Sequence, residues 1–280
     1  MNRLIAFQTY YIILCIKRIK MKKVLVIGDG CKDVFQYGKC ERLSPEAPVP
    51  VFKPTNSKDN GGMAVNVYNN LVGLGVECDI LTYSGISKTR YIDEVSNQML
   101  LRIDENDMIF LSPNMYDKLM AVDYSSYQAV VISDYGKGYL TEEMIIHIAV
   151  NSPLTFMDTK KKIGSWAKDI KYIKINKKEF NLNMDYLMLQ HPNDTIVTLG
   201  ADGAARYYVD NDERKIEHYP NVNEHPVRDL TGAGDTFLAG LVAGYLEKNN
   251  IDDAIIFANK CAAWAVTQKG VAIVDRYKIE

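Results

Sequence analysis

The chain has little that points to a nucleic-acid, membrane or metal-binding protein. Its 33 basic and 35 acidic residues nearly cancel and leave a formal net charge of −2 at pH 7, so we expect no large surface of one sign. Five cysteines are scattered along the sequence without a CxxC pair, which argues against a zinc site or a redox dithiol. We therefore expect a cytoplasmic protein with reduced thiols and a small-molecule partner, and neither a nucleic acid nor a membrane.

The amino-terminal segment, residues 1–20, is set apart by a short apolar run, Tyr10 to Ile16, between basic residues. The run is much shorter than the roughly 20 apolar residues of a membrane span, and no small-residue cleavage site follows it. Three interpretations stay open: a wrongly assigned start ahead of Met21, a surface helix or added strand, and a targeting peptide. We treat residues 1–20 as an extension and residues 21–280 as a single domain.

The rest of the sequence is dominated by strands that alternate with helices. Lys23 to Ile27 (KVLVI) is a continuous β-branched run that ends at Gly28, which is typical of a parallel strand covered on both faces. From Ala129 onward the alternation is regular and predicts an α/β fold with a mostly parallel sheet. Ligands gather at the carboxyl ends of such strands, where the polar or glycine markers are Asp134, Asp158, Asn176 and Gly200.

Two segments outside this alternation, 37–53 and 83–103, predict a small accessory β structure. The first lies in a proline-rich stretch and includes an edge strand, Val49 to Lys53. The second contains two alternating stretches that predict a hairpin with its turn near Ser96 and Asn97. The stretches of the second segment read as half exposed, and we assign both segments to a small β accessory of a single α/β domain.

The strongest chemical signal is DLTGAGD, Asp229 to Asp235, directly before an apolar helix. A glycine-rich turn at a helix amino terminus exposes backbone N–H groups, and the helix dipole adds about half a positive charge there. Asp235, in the first turn, could take a proton from a hydroxyl that attacks a phosphorus atom held over the turn. The alternative is an ordinary glycine turn with Asp235 as its N-cap.

This segment resembles the DTGAGD signature of the ribokinase-like (PfkB) carbohydrate kinases, and the resemblance covers most of Lys23 to Val274. It implies a ribokinase-like three-layer α/β/α sandwich with a small, reduced β lid, and an enzyme that uses ATP and Mg²⁺. The sequence has no GxxxxGK followed by Ser or Thr, which excludes a P-loop kinase. By the resemblance, Asp235 is the catalytic base, and the anion hole is formed by Gly232, Ala233 and Gly234.

On the sugar side, the first strand is followed by GDGCKD, which places Asp33 just beyond the expected strand end. The resemblance puts Asp33, Gly61, Gly62 and Asn66 in the sugar pocket. Carboxylates and amides suit a polyol because they bind adjacent hydroxyl groups with definite geometry. The alternative is a capping aspartate and two glycines that begin a helix.

One subfamily is more similar than the others. ERLSPEAPVPV (41–51), SDYGKGYLT (133–141) and MDTK (157–160) are similar to the kinase domain of bacterial heptose-phosphate kinase/adenylyltransferases, which phosphorylate the anomeric hydroxyl of a heptose 7-phosphate. Arg102 and Lys137 suit a substrate that already carries a phosphate, although surface solvation is the alternative for Arg102.

The nucleotide side is marked by weaker motifs in the order that the family shows. NKKE (176–179) matches the NxxE element, in which Glu179 would help to organise Mg²⁺ through water. TLGADGA (198–204) resembles the loop beneath the nucleotide, and the Lys269–Gly270 turn would border the base. The nucleotide-binding residues implied by the resemblance are Lys160, Asn176, Thr198, Gly200, Gly203 and Asn259.

The chain also departs from the heptose kinases. A helix and part of the lid are missing between Ile86 and Ser87, and the stretch from Glu179 to Thr195 leaves room for only one brief helix. Because the lid completes the sugar pocket and excludes water, two alternatives stay open: a kinase of another sugar or a nucleoside, and a non-catalytic sugar- or nucleotide-binding protein. In the family that the chain resembles, exposed lid strands often pair across a homodimer, and the edge at 49–53 offers such a surface.

Overall fold

The computed structural model describes residues 23–190, 192–221 and 226–279. The extension predicted for residues 1–20, and the alternative start at Met21, lie outside the described residues. Ten strands are present, in chain order β1 (Val24–Leu43), β2 (Pro50–Met63), β3 (Cys78–Asp93), β4 (Met99–Glu105), β5 (Ala129–Asp134), β6 (Thr155–Thr159), β7 (Tyr172–Asn176), β8 (Asp194–Thr198), β9 (Ala204–Asp210) and β10 (Glu213–Tyr219).

The ten strands form one sheet in the order β10-β9-β8-β7-β6-β5-β1-β3-β4, and β2 pairs with β1 beside this path. From β8 to β3 every neighbouring pair is parallel. The outer strands β2, β4, β9 and β10 are antiparallel to their partners. The mostly parallel sheet predicted from the alternation is therefore confirmed.

Helices cover both faces of this sheet. They are α1 (Ala64–Gly73), α2 (Pro113–Met120), α3 (Glu142–Asn151), α4 (Lys177–Leu189), α5 (Ala233–Lys248) and α6 (Ile251–Ala265). Alternate residues of β1 face opposite ways: Val24 and Val26 pack with α1, α5 and α6, whereas Leu25 and Ile27 pack with α2, α3 and α4. The structure is thus a three-layer α/β/α sandwich, as the resemblance implies.

Strands β1 and β3 continue beyond the core to build what we call the lid sheet: residues 31–43 of β1, 50–62 of β2, 86–93 of β3, and β4. The prediction that the first strand ends at Gly28 is wrong, because β1 pairs onward with β2 from Gly30 and with β3 from Cys31. Asp29 and Asp33 therefore lie inside a strand. The predicted hairpin is confirmed as the antiparallel pair β3–β4.

Two helices differ from the sequence expectation. α2 was not predicted; its N-cap Ser112 accepts a hydrogen bond from the backbone of Met115, and a proline occupies its first position. α4 is 13 residues long and begins two residues before the stretch that was expected to hold one brief helix. Within the described part of the chain, no helix is both long enough and apolar enough to cross a membrane.

Candidate active site

Asp235 lies at the start of α5 with its side chain turned into the protein. The helix is capped by the backbone of Gly232, which has a left-handed φ of 80°, and no side chain caps it, so the N-cap alternative for Asp235 is wrong. The Asp235 carboxylate is instead held from two sides: its Oδ1 accepts a hydrogen bond from the Tyr135 hydroxyl at 2.6 Å, and its Oδ2 accepts one from the Asn66 amide at 2.8 Å. The sequence segment thus places a buried, oriented carboxylate beside the glycine turn.

The environment of Asp235 acts on its pKa in opposite directions. Burial raises the pKa of this carboxyl, and the nearby Asp158 carboxylate raises it further. The hydrogen bonds from Tyr135 and Asn66 and the charge of Lys174 lower it, and the net pKa is above the ordinary value. A carboxylate with a raised pKa is a better proton acceptor, which suits a general base.

The glycine turn leaves backbone donors at the helix terminus. The first α-helical hydrogen bond runs from the Thr236 N–H to the Gly232 carbonyl at 2.9 Å, so the N–H groups of Gly234 and Asp235 precede it. The Ala233 N–H already donates to the Leu230 carbonyl at 3.3 Å, which makes it the least free of the predicted donors. The turn is therefore suited to bind an anion.

A buried lysine adds a full positive charge at this turn. Lys174 Nζ lies 3.0 Å from the point where a Cβ on Gly234 would stand, and it donates to Asp158 Oδ2 at 2.6 Å. Only 3% of the Lys174 surface is exposed. Its position in the middle of β7, within the apolar run YIKIN, was a detectable signal that the sequence reasoning missed.

Asp229 holds the turn rather than facing the site. Its Oδ1 accepts a hydrogen bond from the Thr231 N–H at 2.9 Å, and its Oδ2 accepts one from the Gly270 N–H at 3.0 Å. Burial alone would raise the pKa of Asp229, but these hydrogen bonds outweigh it and the net pKa is lowered. The Lys269–Gly270 turn, expected to border a base, therefore ties the segment before the glycine turn to the chain after α6.

A cavity of about 580 Å³ opens on one side of the glycine turn. Ala233 and Gly234 form one wall of it. Four of the six predicted nucleotide-binding residues line the cavity: Thr198, Gly200, Gly203 and Asn259. The other two, Lys160 and Asn176, are not among its lining residues. Asn259 is held by donating to the Tyr219 carbonyl at 3.0 Å. The cavity has the volume of a small-molecule site, and its mostly apolar walls carry a few polar groups.

Lys160, Asn176 and Glu179 form a separate cluster at the start of α4. Asn176 and Glu179 make a capping box, in which the Asn176 Oδ1 accepts from the Glu179 N–H at 3.0 Å and Glu179 Oε2 accepts from the Asn176 N–H at 2.8 Å. Lys160 Nζ pairs with the other Glu179 oxygen. Burial alone would lower the pKa of Lys160, but Asp158 and Glu179 outweigh it and raise the pKa.

Asp33 faces a cation that the sequence did not point out. Arg90, on β3, forms an ion pair with Asp33 Oδ1 and lies over the Phe35 ring at 5.0 Å. Gly62, the register partner of Cys31 on β2, leaves room beside Asp33: a Cβ there would lie 2.9 Å from Cys31 Sγ and 3.6 Å from the Asp33 carboxylate. A Cβ on Gly61 would instead collide with Val65, so that glycine is needed for the packing of α1.

Arg102 and Lys137 lie in different places. Arg102 is the register partner of Arg90 and pairs with Asp104 at 2.7 Å on the lid sheet. Lys137 Nζ pairs with Asp107 at 2.5 Å, and Asp107 lines a second cavity of about 530 Å³ together with Tyr83 and Phe110. The two cations predicted to bind one phosphate therefore have separate partners.

Asp29 fixes the segment that carries Tyr135. Its carboxylate is fully buried and accepts backbone hydrogen bonds from Tyr135 at 2.7 Å and from Lys137 and Tyr139 at 3.2 Å each. Burial raises the pKa of Asp29, and these donors offset part of that effect. The residues missed at the sequence level, Tyr135, Lys174 and Arg90, thus all touch a carboxylate of the site.

Comparison with known proteins agrees with this arrangement. Residues 147–276 match the pfkB family carbohydrate kinases. The bifunctional protein HldE of Helicobacter pylori is 31% identical over 309 residues, which cover 92% of this chain and 66% of that protein. HldE of Nitratiruptor is 29% identical, with coverages of 92% and 64%. The chain thus spans slightly less than two thirds of the length of these relatives.

The fold is shared with solved structures. The structure of Arabidopsis thaliana ribokinase complexed with ribose and ATP has a TM-score of 0.70 and 14% sequence identity to this chain, and covers 93% of this chain and 98% of its own. The family match and the HldE relatives together show that the chain carries a carbohydrate kinase domain of the pfkB family.

Proposed function

We propose that this protein is an ATP-dependent kinase of a sugar or sugar phosphate, with the anomeric hydroxyl of a heptose 7-phosphate as the leading acceptor. The observation that carries the proposal is Asp235: a buried carboxylate, oriented by two donors, beside a glycine turn that opens into a nucleotide-sized cavity. The similarity of 41–51 and 133–141 to heptose-phosphate kinases supports the finer choice of acceptor. A cytoplasmic location stays a prediction.

The chemistry follows from the positions of the groups. An acceptor hydroxyl bound between the lid sheet and Asp235 transfers its proton to the carboxylate as its oxygen bonds to the γ-phosphorus, and the bond from that phosphorus to ADP breaks. The N–H groups of Gly234 and Asp235 and the ammonium of Lys174 lie where negative charge would be held on the transferred group. The chain thus provides a base and an anion site side by side.

The residues also fit ATP and Mg²⁺. The cavity lined by Thr198, Gly203 and Asn259 leads to the glycine turn, as a nucleotide with its phosphates at the helix terminus requires. No group of three or more acidic, histidine or cysteine side chains in the described ranges could hold a metal ion directly. Glu179 would hold Mg²⁺ through water, as the resemblance implies, and Mg²⁺ when bound would neutralise charge on the phosphates.

The lid sheet supports an acceptor that is itself phosphorylated. Lys88, Arg90 and Arg102 share the face of the lid sheet that carries Asp33, because register partners across a sheet point the same way. Arg90 and Arg102 have carboxylate partners, whereas half-buried Lys88 makes no ion pair within the described residues. We assign the acceptor phosphate to Lys88 and Arg90, in place of the predicted pair of Arg102 and Lys137.

The test measures ADP release by the full chain with a panel of acceptors: heptose 7-phosphate, the free heptose, other sugars with and without phosphate, and nucleosides. We expect the phosphorylated heptose to give the highest kcat/KM. The Asp235→Asn variant should lose at least about a hundredfold in kcat while it keeps ATP affinity. A nucleoside as the best acceptor would change the substrate class, and full turnover by Asp235→Asn would refute the mechanism.

We further propose that the protein is a homodimer formed through the lid sheet. Leu101 and Ile103 on β4 are 54% and 39% exposed and lie on the face opposite Arg102. The outer edge of β2 is unpaired within the described sheet, which leaves the edge predicted at 49–53 open. A second copy would cover both features.

A further inference from the structure

Tyr135 makes a contact with Asp235 that the proposed chemistry leaves unexplained. Its hydroxyl donates to Asp235 Oδ1 at 2.6 Å, which is short for a neutral donor and ordinary for one that meets a carboxylate. An ionised carboxylate offers about four lone-pair positions. Tyr135 and Asn66 occupy two of them, so an acceptor hydroxyl still has a place to bind.

The phenol is itself held in position from both ends. The backbone N–H of Tyr135 donates to the buried Asp29 carboxylate at 2.7 Å, which fixes the chain at that point. Lys160 Nζ lies 5.5 Å from the centre of the Tyr135 ring, within the range of a cation–π contact. Tyr135 therefore has a fixed backbone and a fixed ring, and its hydroxyl can orient Asp235 with little loss of side-chain entropy on binding.

Several other groups face Asp235, and they set its charge together with Tyr135. They are Asp158 from β6, Lys174 from β7 and the Cys31 thiol from β1, with the uncharged amide of Asn66 from α1. Burial raises the pKa of Cys31 to about 11, so this thiol is neutral at physiological pH. Burial likewise holds the pKa of Tyr135 well above its ordinary value, so the phenol remains a neutral donor.

We infer that Tyr135 is a positioning residue for the catalytic base: its hydroxyl orients the Asp235 carboxylate toward the acceptor and favours the ionised form that can accept a proton. This inference rests on the proposed kinase function. The hydrogen bond stabilises the charged carboxylate more than the neutral acid, because the oxygens of a protonated carboxyl are weaker acceptors. Burial and the Asp158 charge disfavour ionisation of Asp235, whereas the hydrogen bond from Tyr135 favours it.

The test compares the Tyr135→Phe variant with the wild type of the full chain. The substitution removes one oxygen atom and keeps the ring under Lys160. We expect the acid limb of the kcat/KM profile to move up by about one pH unit, since a hydrogen bond to a charged group is worth that much. We also expect kcat on the plateau to fall about tenfold through lost orientation, with KM for ATP unchanged.

Tyr139→Phe is the matched control. Tyr139 lies in the same segment and its backbone is held by the same Asp29, but its hydroxyl is not a donor to Asp235. We expect this variant to keep the wild-type profile. If Tyr135→Phe also keeps the wild-type acid limb and kcat, or changes only KM for ATP, the inference is wrong although the kinase proposal stands.

A second measurement decides the question without turnover. The carboxyl carbon of Asp235, assigned by its absence from Asp235→Asn, can be titrated by NMR in the wild type and in Tyr135→Phe. A titration midpoint higher by about one unit in the variant supports the inference, and equal midpoints overturn it. If no acceptor gives ADP even with wild type, the kinase proposal fails while this titration still tests Tyr135.

Discussion

Gly232 and Gly234 stand two residues apart in the same turn but need to be glycine for different reasons. Gly232 has a φ of 80°, and a Cβ there would lie 2.8 Å from the Asn66 amide that holds Asp235. Gly234 has no positive φ, and its Cβ would meet only the end of the flexible Lys174 side chain. The first glycine is therefore required by its backbone conformation and by the Asn66 contact with Asp235, and the second leaves room for the Lys174 ammonium.

Alanine substitutions should separate these two roles. We expect Gly232→Ala to lower the free energy of unfolding by about 1–2 kcal/mol through left-handed strain, and to lower kcat because Asn66 is pushed away from Asp235. Gly234→Ala should leave the unfolding free energy unchanged or raise it by up to about 1 kcal/mol through helix propensity, and should raise KM for ATP by displacing Lys174. Urea denaturation and ADP-release kinetics measure both. Equal effects of the two variants would contradict this assignment.

At the scale of single residues, part of the candidate site could be predicted from the sequence. The glycine turn and Asp235 were predictable, because a local motif fixes both the backbone and the neighbouring carboxylate. Lys174 could also have been found, since a lysine inside a buried strand needs a partner. The ion pair of Asp33 with Arg90 could not, because it joins two strands whose relative register only the folded sheet determines.

At the scale of elements, one part of the lid sheet could be predicted from the sequence and another part could not. Sequence alternation predicted the β3–β4 hairpin, since its pattern is local. It did not predict that β1 runs through Asp29 to Leu43, because Gly28 and Gly30 read as a strand end. Both glycines are needed where neighbours approach closely: a Cβ on Gly28 would lie 1.9 Å from the Ser133 carbonyl oxygen.

We expect only one face of the lid sheet to bind the acceptor phosphate. Lys88 lies on the face that carries Asp33, whereas Lys32 lies one residue from Asp33 on the opposite face and pairs with Asp59. We expect Lys88→Met to raise KM about tenfold for a phosphorylated acceptor, the loss of one charged hydrogen bond, and to leave KM for an unphosphorylated acceptor unchanged. Steady-state kinetics with a sugar and its phosphate measure this.

Lys32→Met serves as the control on the same strand pair. Its ion pair is exposed on both sides, so its loss should affect neither stability nor either KM noticeably. If the Lys88→Met variant binds both acceptors as the wild type does, the acceptor phosphate does not bind to the lid face that carries Lys88. A similar loss for both acceptors would instead indicate damage to the lid sheet.

For the whole molecule, β1 and β3 run as continuous strands from the core into the lid sheet. Asp29 and Asp33 lie on one strand, so the carboxylate that fixes the Tyr135 segment and the one that pairs with Arg90 are held by the same element. The three layers were predictable because the apolar patterns of strands and helices are local. The position of the lid was not, because it depends on pairing between distant segments.

The lid sheet also determines what we expect of the molecule in solution. The apolar row with Leu101 and Ile103 projects from the core, and covering it in a dimer needs about 800 Å² from each copy. Sedimentation velocity should therefore give a dimer for wild type at micromolar concentration and a monomer for Leu101→Glu, because a charge on this row would be buried without a partner. Leu182→Glu on α4, where Leu182 is 78% exposed, is the matched control and should stay dimeric. A monomeric wild type would rule out the lid interface, and a dimer that survives Leu101→Glu would place the contact on another surface.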